Sequence, residues 1–423
     1  MNRVVVTVLG AVTPVGNDVE ATWRSLLAGR SGIGRISTFQ PDTYKVQIAG
    51  LVKDFDLEDY PEAAKHDLAQ HLSRSGSFGV AAAMQALEDA GVDGSGYAPE
   101  DRGLLFGSSV GRPELKHLAD MLHPIDEGTG LYRQPPSIVR ERDPNLAMQL
   151  IADLGDCRGP MIGVSTACTA SAHAIGEAYR RIQEGDAKLM VVGGFDALTS
   201  WLDVLGFSLL GALTDEYNDD PEHASRPFDA KRSGFVLGEG ATVAVLEDRD
   251  AAEARGARIY AEVVGYSSSL NAYRITDAPP DGGGAILAMG SALKESGLRT
   301  DEIDYVAAHG TGTPGNDLSE TMAIKQVFGD DAYTVAISSA KSMTGHMTAA
   351  AGGLSLVIAC CAMRDSMVPP TINLDNPDPK LDLDYLPHVA RERRVRAAML
   401  NAFAFGGTNA SLVVRNPNYA EAV

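Results

Sequence analysis

Four stretches of the 423-residue chain set a polar or nucleophilic side chain beside a run of small residues. The first is Gly163-Val164-Ser165-Thr166-Ala167-Cys168-Thr169-Ala170-Ser171-Ala172-His173-Ala174-Ile175-Gly176. A β-branched run ends there in small residues, a cysteine follows, and an Ala-rich helical stretch comes after. If Cys168 opens that helix, unpaired N–H groups and the positive end of the helix dipole favour its thiolate and can hold a developing oxyanion. Packing as a small apolar residue accounts for the same cysteine, as it does for most buried free cysteines. The second stretch is Ala307-Ala308-His309-Gly310-Thr311-Gly312-Thr313-Pro314. A histidine at the end of a strand can point out of the sheet's carboxyl end, where open α/β sheets place ligands. Thr311 and Thr313 can then bind a polar substrate arm. Local turn hydrogen bonds are the competing explanation for His309.

The third stretch, Ser338-Ser339-Ala340-Lys341-Ser342-Met343-Thr344-Gly345-His346-Met347, precedes the small-residue helix that begins Ala349-Ala350-Ala351-Gly352-Gly353. Lys341 and His346 lie five apart across a Gly-containing turn, so they can converge without sharing a helix face. A lysine there lowers a neighbouring acid's pKa or fixes a histidine's tautomer; as a solvated surface charge it does neither. The fourth, Asn401-Ala402-Phe403-Ala404-Phe405-Gly406-Gly407-Thr408-Asn409, is an aromatic and glycine loop before the last strand. Its glycines let the backbone approach a ligand closely, and an ordinary strand-to-strand turn has the same composition.

The elements that must carry these loops alternate. Short β-rich runs at 4–7, 189–192, 242–246, 305–308 and 411–414 are separated by helical stretches such as 78–90 and 170–183. This is an α/β chain. Residues 247–257 read as a charged, Ala-rich helix and as the boundary between two halves, 1–250 and 251–423, each with strands, a Gly-rich turn and an apolar helix. Residues 112–145, rich in Pro and charge, read as an excursion from the core, serving as a cap or subunit contact.

Composition removes several classes of function. Forty-four dispersed glycines and 44% hydrophobic residues describe a compact protein with many tight turns. A net charge of −20 repels polyphosphates, so nucleic acid is not an expected partner, and an acidic partner protein needs a local basic patch. The opening ten residues read as a strand, with no signal-peptide pattern, and the apolar run at 354–363 stops at Arg364 and Asp365, short of a membrane span. A cytoplasmic protein is expected. Cys157, Cys168, Cys360 and Cys361 have the spacing of neither a zinc site nor a disulfide framework.

Taken in order, Cys168, His309, Lys341 with His346, and the Phe405 loop resemble the β-ketoacyl-acyl carrier protein synthases, branch I and II, of the thiolase superfamily. The resemblance runs from Val4-Val5-Val6-Thr7-Val8-Leu9-Gly10-Ala11-Val12-Thr13-Pro14-Val15-Gly16, through Ser225-Arg226-Pro227-Phe228-Asp229 and Gly234-Phe235-Val236-Leu237-Gly238-Glu239-Gly240, to the terminal loop. It implies a thiolase-like fold of duplicated α/β halves in helix-sheet-helix-sheet-helix layers. It also implies decarboxylative condensation of an acyl thioester with malonyl-acyl carrier protein, without metal or other cofactor, the substrates riding on the carrier's phosphopantetheine. By match, Cys168 carries the acyl group, His309 and His346 stabilise the enolate, and Lys341 and Glu320 support them. The N–H groups of Cys168 and Phe405 form a second oxyanion hole, and Phe405 gates. Thr311, Thr313 and Gly406 contact the substrate arm, and Val110 walls the acyl pocket. A homodimer is implied as well.

Several positions depart from the family pattern. Ala404 stands where glycine usually separates the phenylalanines, Asn271-Ala272-Tyr273-Arg274 replaces Asp-Ala-Tyr-His, and Gly211 replaces a frequent carrier-docking arginine. Residues 112–145, with Arg140-Glu141-Arg142-Asp143, bear little likeness to the usual cap. These departures admit an alternative: the ketosynthase subunit of a type II polyketide or polyene system, heterodimeric with a chain-length-factor homologue. A chain-length factor itself lacks the nucleophile that Cys168 provides. A thiolase needs a second cysteine near the C-terminus, and the loop from Phe405 to Asn409 has none.

Overall fold

The computed structural model describes residues 1–90, 96–109 and 143–418. Ten strands form one mixed sheet: β1 (Val4–Val12), β2 (Arg102–Ser108), β3 (Met161–Val164), β4 (Leu189–Asp196), β5 (Gly240–Asp248), β6 (Ala261–Leu270), β7 (Tyr305–Ala307), β8 (Ala336–Ser338), β9 (Ala397–Phe403) and β10 (Thr408–Arg415). Their order is β8-β7-β9-β10-β6-β1-β5-β4-β2-β3. The first five strands are ordered β3-β2-β4-β5-β1 and the last five β8-β7-β9-β10-β6, the same pattern with five added to every label. Directions repeat too. β2 runs parallel to β3 and β4, and β5 antiparallel to β4 and β1; β7 runs parallel to β8 and β9, and β10 antiparallel to β9 and β6.

The helices repeat as well. In the first set α1 (Arg74–Ala90), α2 (Pro144–Leu154) and α3 (Ala170–Glu184) precede β2, β3 and β4, and α4 (Trp201–Leu209) is an addition. In the second, α5 (Gly283–Ser296), α6 (Pro314–Phe328) and α7 (Ala351–Asp365) precede β7, β8 and β9. The sets meet where Val4, Val5 and Val6 of β1 pair with Val263, Glu262 and Ala261 of β6. Glu262, buried at that seam, is gripped by Arg3 at 2.6 Å, Arg415 at 2.8 Å and Arg249 at 3.2 Å.

Period-two alternation sorts the strand side chains into layers. Met190, Val192, Ala244, Leu246, Ala398, Leu400, Ala410 and Leu412 face a central core shared with α3 and α7. Leu189, Val191, Val243 and Val245 turn the other way, onto α1 and α2, while Met399 and Val413 turn onto α5 and α6. The result is the five-layer arrangement expected. Because α7 is covered on all sides, it is apolar all round. The only membrane-length apolar helix among the described residues, Thr348–Asp365, is this core element. Cys360 and Cys361 are core residues within it.

The helix expected over 247–257 is shorter. Glu247 belongs to β5, opposite Val5, and the helix covers Arg249–Ala254. The carboxylate of Glu247 is satisfied inside the protein by Arg255 at 2.6 Å and the Tyr97 hydroxyl at 2.8 Å, so a charged residue here does not mark a solvated helix face. The segment 112–145 lies outside the described residues apart from its last three positions.

Candidate active site

A cavity of about 330 Å3 opens among the carboxyl ends of these strands, lined among others by Cys168, His309, His346, Thr311, Thr313 and Phe405. Cys168 follows β3, His309 follows β7, His346 lies between β8 and α7, and Phe405 follows β9. Four strand ends from both halves thus supply one site, where open α/β sheets place ligands.

Cys168 lies in a tight 3-10 turn, Ala167–Thr169, that feeds α3, rather than in the helix itself. Ala167 takes φ +50°, an uncommon conformation for a residue with a side chain, and the Thr169 hydroxyl closes the turn on the Thr166 carbonyl at 2.7 Å. Gly107 on β2 makes room for it: a Cβ there would lie 2.4 Å from the Ala170 carbonyl carbon. Burial pushes the Cys168 thiol up to about 11, and Asp196 adds to the rise. The Lys341 ammonium and the N–H groups of Phe405 and Cys168 act the other way. Two main-chain donors from different elements therefore address one sulfur.

His309 is clamped through its own peptide. Glu320 on α6 accepts its N–H at 2.8 Å and the Gly310 N–H at 2.7 Å, while Lys341 Nζ donates to its carbonyl at 2.6 Å and stands 3.5 Å from its Nδ1. With Nδ1 facing an ammonium, the ring's proton is left on Nε2. His346 reaches the same state differently. Its N–H donates to the Val236 carbonyl at 2.7 Å, its carbonyl accepts from Gly238 N–H at 2.9 Å, and its Nδ1 accepts from Thr348 N–H at 3.2 Å. His346 Nε2 is buried and has no protein partner. The two rings stand 5.4 Å apart, centroid to centroid, at 79°. Burial, with Lys341 adding to it, holds both imidazoles well below the ordinary histidine pKa, so both are neutral donors at pH 7.

Lys341 and Glu320 sit behind the histidines rather than in the cavity lining. Burial pushes the Glu320 carboxyl up and the Lys341 ammonium down. Thr311 and Thr313 share a hydroxyl hydrogen bond of 2.8 Å at the wall. Gly406 is not in the lining; its φ is +87° and its N–H donates to the Ile275 carbonyl at 2.7 Å. Val110 lies outside the described residues. Ala404, Asn271 and Gly211, three of the departures, all line the cavity. His173 does not: its ring bridges Thr166 Oγ1 at 2.7 Å and Ser268 Oγ at 3.0 Å.

Sequence reasoning named Lys341 and Glu320 as supports but missed three other residues. Asp317, one turn before Glu320 on α6, accepts from the N–H groups of Phe228, Thr311 and Gly312 at 2.8, 3.1 and 3.2 Å and so shapes the loop after His309. Two acids three apart on one helix face were the available signal. Asn401, which donates to Glu320 at 3.2 Å, gave none. Phe235 packs between the His346 and Phe405 rings, at 5.4 and 6.3 Å, and was quoted only as part of a motif.

Residues 1–252 match the family description "Beta-ketoacyl synthase, N-terminal domain" and residues 260–375 match "Beta-ketoacyl synthase, C-terminal domain". A 3-oxoacyl-[acyl-carrier-protein] synthase 2 from Synechocystis sp. is 44% identical over 413 residues, covering 98% of each chain. One from Vibrio cholerae is 44% identical over 415 residues, covering 98% of this chain and 99% of that one. Among solved structures, the ishigamide ketosynthase/chain length factor aligns with a TM-score of 0.87 at 33% identity, covering 99% of this chain and all of that one. A type II polyketide ketosynthase in complex with its acyl-carrier protein gives the same TM-score and the same coverage at 31% identity.

Proposed function

The chain belongs to the β-ketoacyl synthase family, and we propose that its cavity runs the family's reaction as a relay from Cys168 to His309 and His346. The fold is the thiolase-like ketosynthase fold, and the activity is that of a 3-oxoacyl-[acyl-carrier-protein] synthase, a condensing enzyme of fatty-acid elongation. The division of labour among the residues rests on one observation. The cavity brings Cys168 and Phe405, whose N–H groups both draw the thiol's pKa down, together with two imidazoles whose Nδ1 atoms are occupied, leaving Nε2 as the donor of each.

Acyl transfer comes first. The Cys168 sulfur attacks the thioester carbonyl, the two main-chain N–H groups hold the oxyanion, the bond to the carrier's sulfur breaks, and that sulfur leaves with the cysteine's proton. Malonyl thioester then takes the carrier's place. Its carboxylate leaves as carbon dioxide, the electron pair of the broken C–C bond passes into an enolate, and His309 and His346 donate to the enolate oxygen. The enolate carbon attacks the acyl-cysteine, whose C–S bond breaks, and the released sulfur takes up a proton from solvent to restore the thiol. Lys341 and Glu320 hold His309 in place throughout. Thr311 and Thr313 bind the substrate arm, and Phe405 gates its entry.

The relatives' names specify acyl carrier protein, and the same substrate carrier is assigned here. A second copy of the chain is the partner that the sheet favours. Edge strand β3 has one neighbour among the described residues and exposes Met161 at 45% and Ile162 at 37%, a pairing edge that an isologous contact would cover. The division into halves near residue 250 is supported by the repeated strand order and the two family matches. Relatives at 44% identity are named 3-oxoacyl-[acyl-carrier-protein] synthase 2, against 31% for the type II polyketide ketosynthase and 33% for the ketosynthase/chain length factor, which favours the elongation role and, with it, saturated chains. Incubation with malonyl-acyl carrier protein and either saturated or polyenoyl carrier proteins tests this. Carbon dioxide release with a product two carbons longer from saturated chains is expected, and a preference for polyenoyl chains, or turnover only with a co-expressed homologue, would overturn it.

A further inference from the structure

Asp196, the last residue of β4, is 3% exposed, and beyond its charge on the Cys168 thiol it was given no part in the relay above. The duplication points to what it does, because the two halves build the same turn twice. In the first half Ala167 takes φ +50°, a 3-10 turn covers Ala167–Thr169, and α3 starts at Ala170. In the second Thr348 takes φ +43°, a 3-10 turn covers Thr348–Ala350, and α7 starts at Ala351. Ala349 therefore stands in the second turn where Cys168 stands in the first.

The two turns differ in what their N–H groups face. That of Cys168 lies in the cavity lining, where it draws down the pKa of its own thiol. That of Ala349 donates to Asp196 Oδ2 at 3.1 Å. The hydroxyls of Thr348 and, at 2.7 Å, Ser109 donate to the same oxygen, and the Ala197 N–H donates to Oδ1 at 3.0 Å. The second half's counterpart of the oxyanion hole is thus filled by a carboxylate of the chain itself. Burial pushes that carboxyl's pKa up and the four donors draw it back.

We propose that Asp196 is a positioning residue for the decarboxylation step: its carboxylate occupies this second anion hole and, by fixing Thr348, aims His346. Thr348 is the link because its N–H holds His346 Nδ1 at 3.2 Å, which leaves the proton on the Nε2 that faces the substrate. A β-branched residue at positive φ persists only where its surroundings over-determine it. Here the surroundings include the carboxylate, bound to the Thr348 hydroxyl and to the next N–H in the chain. The proposal rests on the assignment of His346 to enolate stabilisation.

The test compares Asp196→Asn, Thr348→Ala and Thr348→Ser with His346→Ala, measuring carbon dioxide release from malonyl-acyl carrier protein and acyl transfer to Cys168 separately. Asp196→Asn and Thr348→Ala are expected to lower kcat for decarboxylation by up to about a hundredfold, the cost of a misplaced catalytic group, with KM little changed and Cys168 acylation not slowed, since loss of the Asp196 charge lowers the thiol's pKa. Thr348→Ser keeps the hydroxyl and is expected to recover most of the loss. Should Asp196→Asn fail to fold, the contrast between the two Thr348 variants decides. A parallel loss of acylation and decarboxylation, or equal rates for Thr348→Ala and Thr348→Ser, would overturn the proposal while leaving the role of His346 intact. Unimpaired decarboxylation by His346→Ala would remove the premise instead.

Discussion

Lys341 Nζ donates to the main-chain carbonyl of His309 at 2.6 Å while standing 3.5 Å from the Nδ1 of the same residue. One ammonium therefore fixes both the peptide that carries the imidazole and the side of the ring that stays unprotonated. It is also the positive charge that pulls the Cys168 thiol down against burial. A single side chain thus serves both halves of the reaction.

Removing that charge has a defined sign. Lys341→Met is expected to slow alkylation of Cys168 by iodoacetamide at pH 7, because the thiol's pKa rises further when the ammonium is gone. Decarboxylation should fall in the same variant, since the His309 ring loses its orienting partner. Faster alkylation would mean that the ammonium does not act on the sulfur.

In the proposed relay each histidine supplies one donor to the enolate oxygen. Replacing either His309 or His346 by Ala is expected to reduce kcat for carbon dioxide release by about 10² to 10³, the usual cost of one donor to a developing oxyanion. Acylation of Cys168, which uses the main-chain donors, should survive both changes. Measuring the two half-reactions separately checks the division, and equal losses in both would contradict it.

Both active-site histidines have pKa values well below the ordinary figure of about 6.5. A histidine whose pKa drops on folding binds protons more readily in the unfolded chain, so its support for the fold is present above about 6.5 and is lost as the pH falls through the lower folded value. In the chemistry both rings remain neutral donors across this range. The decarboxylation rate is therefore expected to show no histidine inflection between pH 7.5 and 6.5. An inflection near 6.5 that vanishes in a histidine variant would show a charged ring at work.

Gly107 tests the backbone of the nucleophile turn. An added Cβ would meet the Ala170 carbonyl carbon at 2.4 Å and the Ser171 nitrogen at 2.5 Å, both main-chain atoms that cannot rotate away. Gly107→Ala is expected to cost about 1–3 kcal/mol of stability by overpacking and to slow acylation of Cys168 by moving its turn. Thermal unfolding and a timed acylation assay read the two effects, and a variant unchanged in both would show that β2 does not brace the turn.

What the sequence disclosed and what it hid follow one physical rule. Cys168, His309, His346 and the Phe405 loop were legible because each sits in a short run of small residues between a strand and a helix, a local pattern. Lys341 and Glu320 came with the resemblance, but Asp317, Asn401 and Asp196 were not legible. Asp196 reads as an ordinary acid after a strand, and its meaning comes from Thr348, a partner 152 positions away. Glu247, at the end of a strand, looked like the start of a charged helix because its partners, Tyr97 and Arg255, are set by tertiary packing. The layered fold was legible from alternation and resemblance. Duplicated halves were expected from the resemblance, and strand order supplied their topology, since the halves share a path without sharing a detectable residue pattern.

The central claim is that Cys168 alone carries the acyl group. Intact-mass measurement after incubation with acyl-acyl carrier protein tests it most directly, using the full chain and a Cys168→Ala variant. One acyl adduct is expected on the wild-type chain, mapped by peptide digestion to Cys168, and none on the variant. An adduct retained in Cys168→Ala, or mapped to Cys157, Cys360 or Cys361, would contradict it.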